Sequence, residues 1–452
     1  MKKQIILSAI TVGLLSSVSV QAADNIGEMF SKGKTSGEIR AFYINRDDNT
    51  KADKQIATAI GGHLKFQTAE LNGLSFGVAG YTTNRILGNL EANDDGATRN
   101  TTLLGNDGKS YSILGEAYVK FDAKDMGTKT DITIGRQKLN TPLAGADDAR
   151  MLPNLFEAYV LHNKDIDNTT LVAAHVTKMA AGSFANAYAG GIVGVAAGYT
   201  YSGDTAKYQG KFTNMGEWAL GTGNSTSGVT AIAAIYKGNN YKVQAWDYYA
   251  HNILNAVYLQ GDVNWNCLIS DAIKPFAALQ YINQSDVGNK LAGNVDSDFI
   301  GAKIGAKVGA LTAYVAYSEQ SDAKDNTAAG ALSATTITPW GGMPAFTQGM
   351  VTRHMFIAGT KAKKVAATYN LKDLGVNATA TAYYAQFDMD NNAGAGSLNN
   401  LDAQELGFDI KYHPAAVKNL LLRLRGNFPN NFTNVNGGRN WDEYRFIASY
   451  KF

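Results

Sequence analysis

The sequence predicts an all-β protein, a transmembrane antiparallel β-barrel of 18 strands, and three observations support this prediction. Segments that alternate apolar and polar residues recur along the chain. The connections between them alternate between short turns and long polar loops, as in barrels that cross an outer membrane. Finally, 452 residues with 18% charged side chains are too polar for a bundle of membrane helices and long for one ordinary soluble core.

The last ten residues, "EYRFIASYKF", show the alternation clearly. One set of alternate residues is largely aromatic and ends on Phe452, whereas the other set includes Glu443, Arg445 and Lys451. A period of two is that of a β-strand with two different faces. The apolar face therefore meets either lipid or the core of a soluble sheet.

Other segments repeat this pattern. The segment "SDFIGAKIGAKV" places Lys303 and Lys307 opposite its isoleucines, and "LLLRLRGNF" places Arg423 and Arg425 opposite leucines. In lipid, every backbone N–H and C=O must be paired within the sheet, so the sheet has to close into a barrel. A soluble β-sandwich would show the same alternation. Aromatic residues near strand ends, as in "WDYYAH" and "TAYYAQF", favour the membrane, where they form an interfacial girdle.

The connections give the number of strands. Eight short turns and nine long or polar connections join eighteen strands, an even number that leaves both ends on the periplasmic side. The long connections are predicted at residues 45–58, 83–110, 137–155, 178–227, 251–255, 283–297, 320–352, 388–403 and 429–440. This count assigns residues 191–201, which themselves alternate like a strand, to the fourth connection.

The N-terminus predicts export. Lys2 and Lys3 precede an uncharged apolar run, and residues 20–22, Val-Gln-Ala, fit the pattern that a signal peptidase cuts. We expect residues 1–22 to be a signal peptide and residues 23–452 to form a single outer-membrane barrel domain. The alternative, an N-terminal membrane anchor, requires a longer apolar run.

Composition and motifs argue against several functions. The 41 basic and 39 acidic residues nearly balance, so no basic excess is present to bind nucleic acid. The segment "DMDNNAG", residues 388–394, begins like a calcium loop but lacks its glycine and glutamate. The six histidines have no metal-ligand spacing. We therefore predict no catalytic residues, no metal site and no cofactor.

One region resembles a known family. "LGEAYVKF" leads to "ITIGRQKLNTPLAGADDARMLPNLFEAY", residues 132–159, which resembles the third-loop region of the outer membrane porin D (OprD) family. Looser similarity continues in "GEIRAFYINRD", in "VQAWDYYAHNILNAVYLQGDV" and in the last strands. The resemblance implies an eighteen-stranded barrel in the outer membrane, usually a monomer, whose third loop folds into the lumen. It also implies diffusion of small solutes, often carboxylates, along a basic ladder on the wall.

The terminal strand adds a possible partner. Alternate aromatic residues that end on Phe452 resemble the signal read by the outer-membrane barrel assembly machinery. The lipid bilayer and small-molecule solutes are the other expected partners, and a trimer stays open as an alternative to the monomer.

The residues also support a channel site without the resemblance. The connection 137–155 contains two prolines together with Asp147, Asp148 and Arg150, which is too structured for a floppy surface loop. If this constriction loop lies in the lumen, its carboxylates oppose a basic ladder and create a transverse field. The predicted ladder residues are Arg40, Arg136, Arg423, Arg425, Arg445, Lys303 and Lys307. In the alternative interpretation, these charges pair with one another and brace the barrel.

Three functions follow from these expectations. The first is a porin for small hydrophilic solutes, such as small carboxylates, amino acids or ions. The second is a non-conducting adhesin or structural barrel, and the third is an outer-membrane hydrolase. The sequence leaves open the solute, the preference for anions or cations, and whether residues 178–227 and 320–352 open or cover the mouth.

Overall fold

The structure of the protein is a computed structural model. It describes residues 22–50, 54–86, 101–105, 108–184, 210–325, 327–389, 399–433 and 438–452. The predicted signal peptide, apart from Ala22, and residues 191–201 lie outside the described residues. Most of the calcium-like segment 388–394 lies outside them as well.

Nineteen strands are present among the described residues, and all belong to one sheet. The first nine are β1 (Lys34–Asp48), β2 (Gln55–Gln67), β3 (Leu74–Arg85), β4 (Tyr111–Asp122), β5 (Thr130–Gln137), β6 (Leu155–Asn163), β7 (Thr169–Ala180), β8 (Thr213–Asn214) and β9 (Val229–Lys237). The others are β10 (Tyr241–Ala250), β11 (Leu254–Asn264), β12 (Ile273–Asp286), β13 (Asp296–Val308), β14 (Leu311–Gln320), β15 (Thr360–Asn370), β16 (Ala378–Met389), β17 (Leu401–Tyr412), β18 (Leu420–Asn430) and β19 (Trp441–Lys451).

The sheet closes on itself. Each long strand pairs antiparallel with its neighbours in sequence, and β1 pairs with β19 from Glu38 opposite Lys451 to Asp48 opposite Trp441. The two-residue β8 pairs only with the end of β7, and the long neighbours of β7 in the barrel are β6 and β9. Eighteen strands therefore form the barrel, and the predicted fold class and strand number are confirmed.

The two faces of the wall differ as the sequence predicts. In β19, Tyr444 and Phe446 are nearly half exposed on the outside, whereas Glu443 and Arg445 are buried on the inside. In β13, Ile300 and Ile304 are outside, and Lys303 is on the opposite face. The apolar ring on the outer surface is the face that lipid covers.

Short turns and long loops alternate around the barrel. The turn after β2 has Asn72 and Gly73 at φ 50° and 83°, and Leu71 and Leu74 exchange two backbone hydrogen bonds of 2.9 Å across it. This is the geometry that Asn-Gly favours in a two-residue hairpin. At the other end, we call residues 138–154 the third loop, 181–228 the fourth loop, 321–359 the seventh loop and 431–440 the ninth loop.

Helices among the described residues are short. They are α1 (Ile26–Ser31), α2 (Met215–Leu220) and α3 (Ala328–Ser333), with 3-10 turns at Thr101–Leu103, Lys124–Met126, His354–Phe356 and Leu371–Leu374. Side chains of Asn25, Asn214 and Thr327 accept hydrogen bonds at the three N-termini. Over the described ranges, no helix has both the length and the apolar character needed to cross a bilayer.

The difference between the two faces of β13 can be tested. Ile304→Arg puts a charge on the lipid side near the middle of the strand, and we expect the free energy of unfolding to fall by about 2–4 kcal/mol. Lys307→Arg on the inner face is the matched control and should change little. Urea unfolding in lipid vesicles measures both, and equal losses would contradict the assigned faces.

Candidate functional site

The third loop contacts the inner face of the wall. Its first half is a compact turn in which the Ala144 backbone N–H donates to Thr141 Oγ1 at 3.2 Å, and Asn140 bridges Gly145. Asp147 then adopts a left-handed φ of 36°, which aspartate tolerates better than most residues. The chain reversal directs the following residues, Asp148 and Arg150, to strands β1 and β19.

Arg40 joins the third loop to β1. Its Nη1 and Nη2 atoms donate to the two carboxylate oxygens of Asp148 at 2.7 and 3.2 Å. Its Nε atom donates to Glu38 Oε1 at 2.8 Å, and Nη1 also donates to the Arg150 carbonyl. The guanidinium is thus satisfied by two carboxylates, and the fork geometry fixes the loop against the wall.

Glu443 is the centre of a second, fully buried group. Arg46 donates to its Oε2 through Nε at 2.9 Å, and Arg150 donates to its Oε1 through Nη2 at 3.1 Å. Arg445 donates to the same carboxylate and to the side-chain oxygen of Asn427. Three guanidinium groups from β1, the third loop and β19 therefore share one carboxylate.

The third loop also contacts the seventh loop. The Gly145 N–H donates to the Trp340 carbonyl at 3.0 Å, and Arg353 Nη1 lies 3.3 Å from Asp147 Oδ2. The Phe184 ring lies 4.8 Å from the guanidinium carbons of both Arg150 and Arg353. Phe184, which lies in the fourth loop, thus makes a cation–π contact with one arginine of the third loop and one of the seventh.

Asp409 on β17 is the carboxylate that pairs with the arginines of β18. Arg423 donates to it through Nε at 2.7 Å and through Nη2, whereas Arg425 Nε stays 3.7 Å from Asp409 Oδ2. The side chains of Arg423 and Arg425 retain 24% and 14% of their exposure. Lys411 lies directly opposite Arg423 on the same inner face. Three cationic groups therefore surround a single carboxylate.

The lysines on β13 and β15 have different surroundings. Lys303 Nζ lies 4.4 Å from the centre of the Phe346 ring, with Phe276 and Tyr314 at 6.0 and 5.7 Å. No carboxylate of a described residue lies within ion-pair distance of it. Lys307 lies four residues further along β13, nearer its periplasmic end, and is exposed. Lys364 on β15 donates to the Gln348 carbonyl at 2.6 Å.

One predicted ladder residue does not face the lumen. Arg136 is on the same side of β5 as Ile134, which is 46% exposed on the outer surface. It lies 3.6 Å from Glu157 and 4.4 Å from the centre of the Phe212 ring. Assigning Arg136 to the lumen ladder was wrong, because it shares the phase of the isoleucines in "ITIGRQ" and its charge is compensated outside.

The other predicted residues lie on the inner face but are not equivalent. Arg40, Arg423, Arg425 and Arg445 are all paired with carboxylates, as the bracing interpretation expects. Arg445 is 1% exposed and does not meet the water of the passage. Asp147, Asp148 and Arg150 all contact the wall or the seventh loop.

The inward packing of the seventh loop was not predicted from the sequence. Its residues 334–360 are almost all buried, and Gln280 and Gln284 on β12 exchange hydrogen bonds with its backbone at 2.7–2.9 Å. Arg46, Arg353, Glu405 and Glu443 were not assigned to the site either. The run "TPWGGMPAF" was an available signal, because it combines two prolines with glycines as the third loop does.

The structure offers no obvious metal centre. Among the described residues, no group of three or more His, Cys, Asp or Glu side chains is arranged to hold an ion. The buried charges instead pair with one another, which is the usual way that such groups are accommodated.

A closed barrel with a lipid-facing exterior and loops packed inside a charged lumen defines a class of protein, the outer-membrane channels. The family model described as "outer membrane porin, OprD family" matches residues 28–452. The chain belongs to this family: it is an outer-membrane porin and not an enzyme. No curated protein sequence matches it.

Solved structures show the same fold. Pseudomonas aeruginosa OccK9 (OpdG) is similar with a TM-score of 0.72 and 19% identity over 94% of this chain and 99% of that one. P. aeruginosa OpdK, solved with vanillate, has a TM-score of 0.70 and 17% identity over 94% and 99%. P. aeruginosa OccK2 (OpdF), solved with glucuronate, has a TM-score of 0.69 and 16% identity over the same shares.

Removal of the shared carboxylate should be costly. Glu443→Gln leaves three buried guanidinium groups without their anion, and we expect the free energy of unfolding to fall by roughly 3–5 kcal/mol. Asp442→Asn, on the outer face of the same strand, is the control. Urea unfolding of both variants tests this, and a loss no larger than that of the control would contradict the buried charge cluster.

The Arg40–Asp148 contact makes a prediction about pH. Partial loss of water around Asp148 opposes its ionisation, but the Arg40 guanidinium outweighs this effect and lowers the carboxyl pKa below its ordinary value. A lowered folded pKa gives stability that is present above the unfolded pKa and is lost as pH falls through the folded one. The difference in unfolding free energy between the wild type and Asp148→Asn should therefore persist from pH 7 to 5 and decline only below about pH 4.

Unfolding measured across this pH range provides the check. A difference that has already vanished at pH 5 would show that Arg40 does not stabilise the ionised carboxylate. Asp442→Asn, on the outer face of β19, serves as the control.

Proposed function

We propose that this porin passes small solutes that carry a carboxylate, and that the cationic groups of β17 and β18 guide them. The observation that supports this is the excess of positive charge around Asp409. Arg423, Arg425 and Lys411 share the inner face with that one carboxylate, so two positive charges remain uncompensated by it. A cationic wall raises the local concentration of anions in a narrow aqueous passage.

The constriction loop supplies the opposite charge. The Asp148 side chain keeps about a third of its exposure (34%) even though it binds Arg40. Carboxylates of the third loop and cations of the wall would together give a transverse field, which orients zwitterionic and dipolar solutes. In this proposal the third loop narrows the passage, and the seventh loop narrows it further.

The ladder residues have separate roles in the proposal. Arg423 and Arg425 contact the solute, while Arg40 and Arg445 hold the third loop and the wall in place. Lys303 and Lys307 extend the cationic surface toward the periplasmic mouth, where Lys307 is exposed. Arg445 is assigned to bracing because its side chain is 1% exposed, and Arg40 because its guanidinium is bound to both Glu38 and Asp148.

Similar proteins support the solute class. The structures of OpdK and OccK2 were solved with vanillate and glucuronate, and both of these molecules carry a carboxylate. At 16–17% identity the likeness itself shows only the fold. The charge around Asp409 is therefore the main support, and the bound carboxylates of the similar proteins agree with it.

We also propose that Phe452 is read by the barrel assembly machinery. Its side chain is 48% exposed on the outer surface, and its backbone exchanges hydrogen bonds with Gly37 at the closing edge of the sheet. A monomer in the lipid bilayer is the form we expect.

Ion selectivity tests the role of the β18 cations. The double variant Arg423→Gln and Arg425→Gln removes two positive charges from the passage, and we expect the reversal potential under a salt gradient to shift toward cations. Liposome swelling should slow for small carboxylates and change less for sugars of similar size. Planar-bilayer recording and swelling assays provide the two measurements.

Arg136→Gln is the matched control, since it removes the same charge from the outer face. An unchanged reversal potential in the double variant would contradict the proposed guidance. A correctly folded wild-type barrel without any conductance would favour the alternative of a non-conducting adhesin.

A further inference from the structure

The segment of the seventh loop from Phe346 to Thr352 contacts six consecutive strands of the wall, β12 to β17. The Phe346 N–H donates to Gln280 Oε1 at 2.9 Å, and the hydroxyl oxygens of Thr347 and Ser318 are 2.6 Å apart. These two contacts are neutral, whereas the Phe346 ring and the Gln348 carbonyl contact the ammonium groups of Lys303 and Lys364.

The contact with β17 is different because it involves a buried anion. Glu405 is 0% exposed, and its carboxylate accepts from the backbone N–H groups of Met350 at 2.7 Å, Val351 at 3.1 Å and Thr352 at 2.6 Å. The hydroxyl groups of Thr352 and Tyr383 donate to it as well. Three successive N–H groups that converge on one anion form a backbone nest. Hydrogen bonds to an ionised acceptor are stronger than neutral ones.

Gly349 allows this close approach. A methyl group at that position would lie 2.5 Å from Glu405 Oε2, so any larger residue separates the loop from the carboxylate. Its φ lies outside the left-handed region, and an alanine there adds bulk without backbone strain. The loop sequence and the wall residue are thus matched in shape as well as in charge.

We propose that Glu405 is a positioning residue that holds the seventh loop inside the lumen and thereby sets the width of the passage. The proposal rests on the chain acting as a channel, and it does not depend on which solute passes. When the nest loses its anion, the Met350–Thr352 N–H groups have to be hydrated, and the loop leaves β17 for the water at the extracellular mouth, which widens the passage.

Glu405→Gln tests this with little change in shape. The carboxamide has one acceptor oxygen, so its NH2 group faces N–H and O–H donors whichever way it is turned. We expect a higher single-channel conductance and several-fold more frequent transitions between conductance levels than in the wild type. Asp402→Asn, on the exposed outer face of the same strand, is the control and should leave both quantities unchanged.

Gly349→Ala is the second variant, because it leaves the wall strand intact if Glu405→Gln fails to fold. It should produce the same change in conductance. Folding of each variant is checked by circular dichroism and by the heat-dependent mobility of the barrel on gels.

A reversible cross-link separates positioning of the loop from a direct effect of charge. In a Cys267→Ser background, Ser318→Cys and Thr347→Cys join the loop to β14 when oxidised. Combined with Glu405→Gln, the oxidised form should recover the conductance of the wild type and the reduced form should lose it again. A shift of the reversal potential alone, with wild-type conductance, would instead make Glu405 a selectivity charge and overturn the proposal.

The remaining outcomes are distinct. Wild-type conductance and gating in folded Glu405→Gln and Gly349→Ala overturn the positioning role and leave the porin intact. High conductance that persists in the oxidised form overturns it too. If the wild type conducts ions but does not prefer carboxylates, only the proposed solute class is contradicted. The conductance of Glu405→Gln relative to the wild type still tests the positioning role.

Discussion

The structure depends on one constraint, the pairing of every backbone N–H and C=O within the part of the chain that meets lipid. A sheet satisfies it only when it has no edges, so β1 must pair with β19 across almost the whole length of the sequence. Closure then fixes the side-chain alternation. When an apolar side chain faces lipid, its two neighbours in the strand face the interior. Many of the arginines, lysines and carboxylates of the strands lie there.

Buried charges in the interior are stabilised because several arginines pair with the same carboxylate. Glu443 serves three guanidinium groups, and Asp409 serves Arg423 and has Arg425 beside it. Glu443 and Arg150 are fully buried and Arg46 is 10% exposed, whereas Arg423 beside Asp409 is 24% exposed. Arginine–carboxylate pairs therefore brace the barrel around Glu443, whereas those around Asp409 are accessible to a solute.

The fold can be predicted from the sequence because apolar and polar residues alternate within each strand. It also located the third loop, since Pro142, Pro153 and the charged run lie close together in the chain. It misplaced Arg136, whose compensating partners Glu157 and Phe212 come from remote segments. The inward packing of the seventh loop depends on Gln280, Gln284 and Glu405, which are distant in sequence, so the prolines and glycines of "TPWGGMPAF" indicate an ordered loop but not the strands that it contacts.

The position of Glu443 has a consequence for biogenesis. The carboxylate is on the last strand, one of its partners is on the first strand, and another is on the third loop. Arg150 can reach a neutralised environment only after the terminal strands have met. Insertion of the third loop is thus expected to be a late event that follows ring closure, so a half-assembled intermediate would lack the third-loop constriction until β1 and β19 have paired.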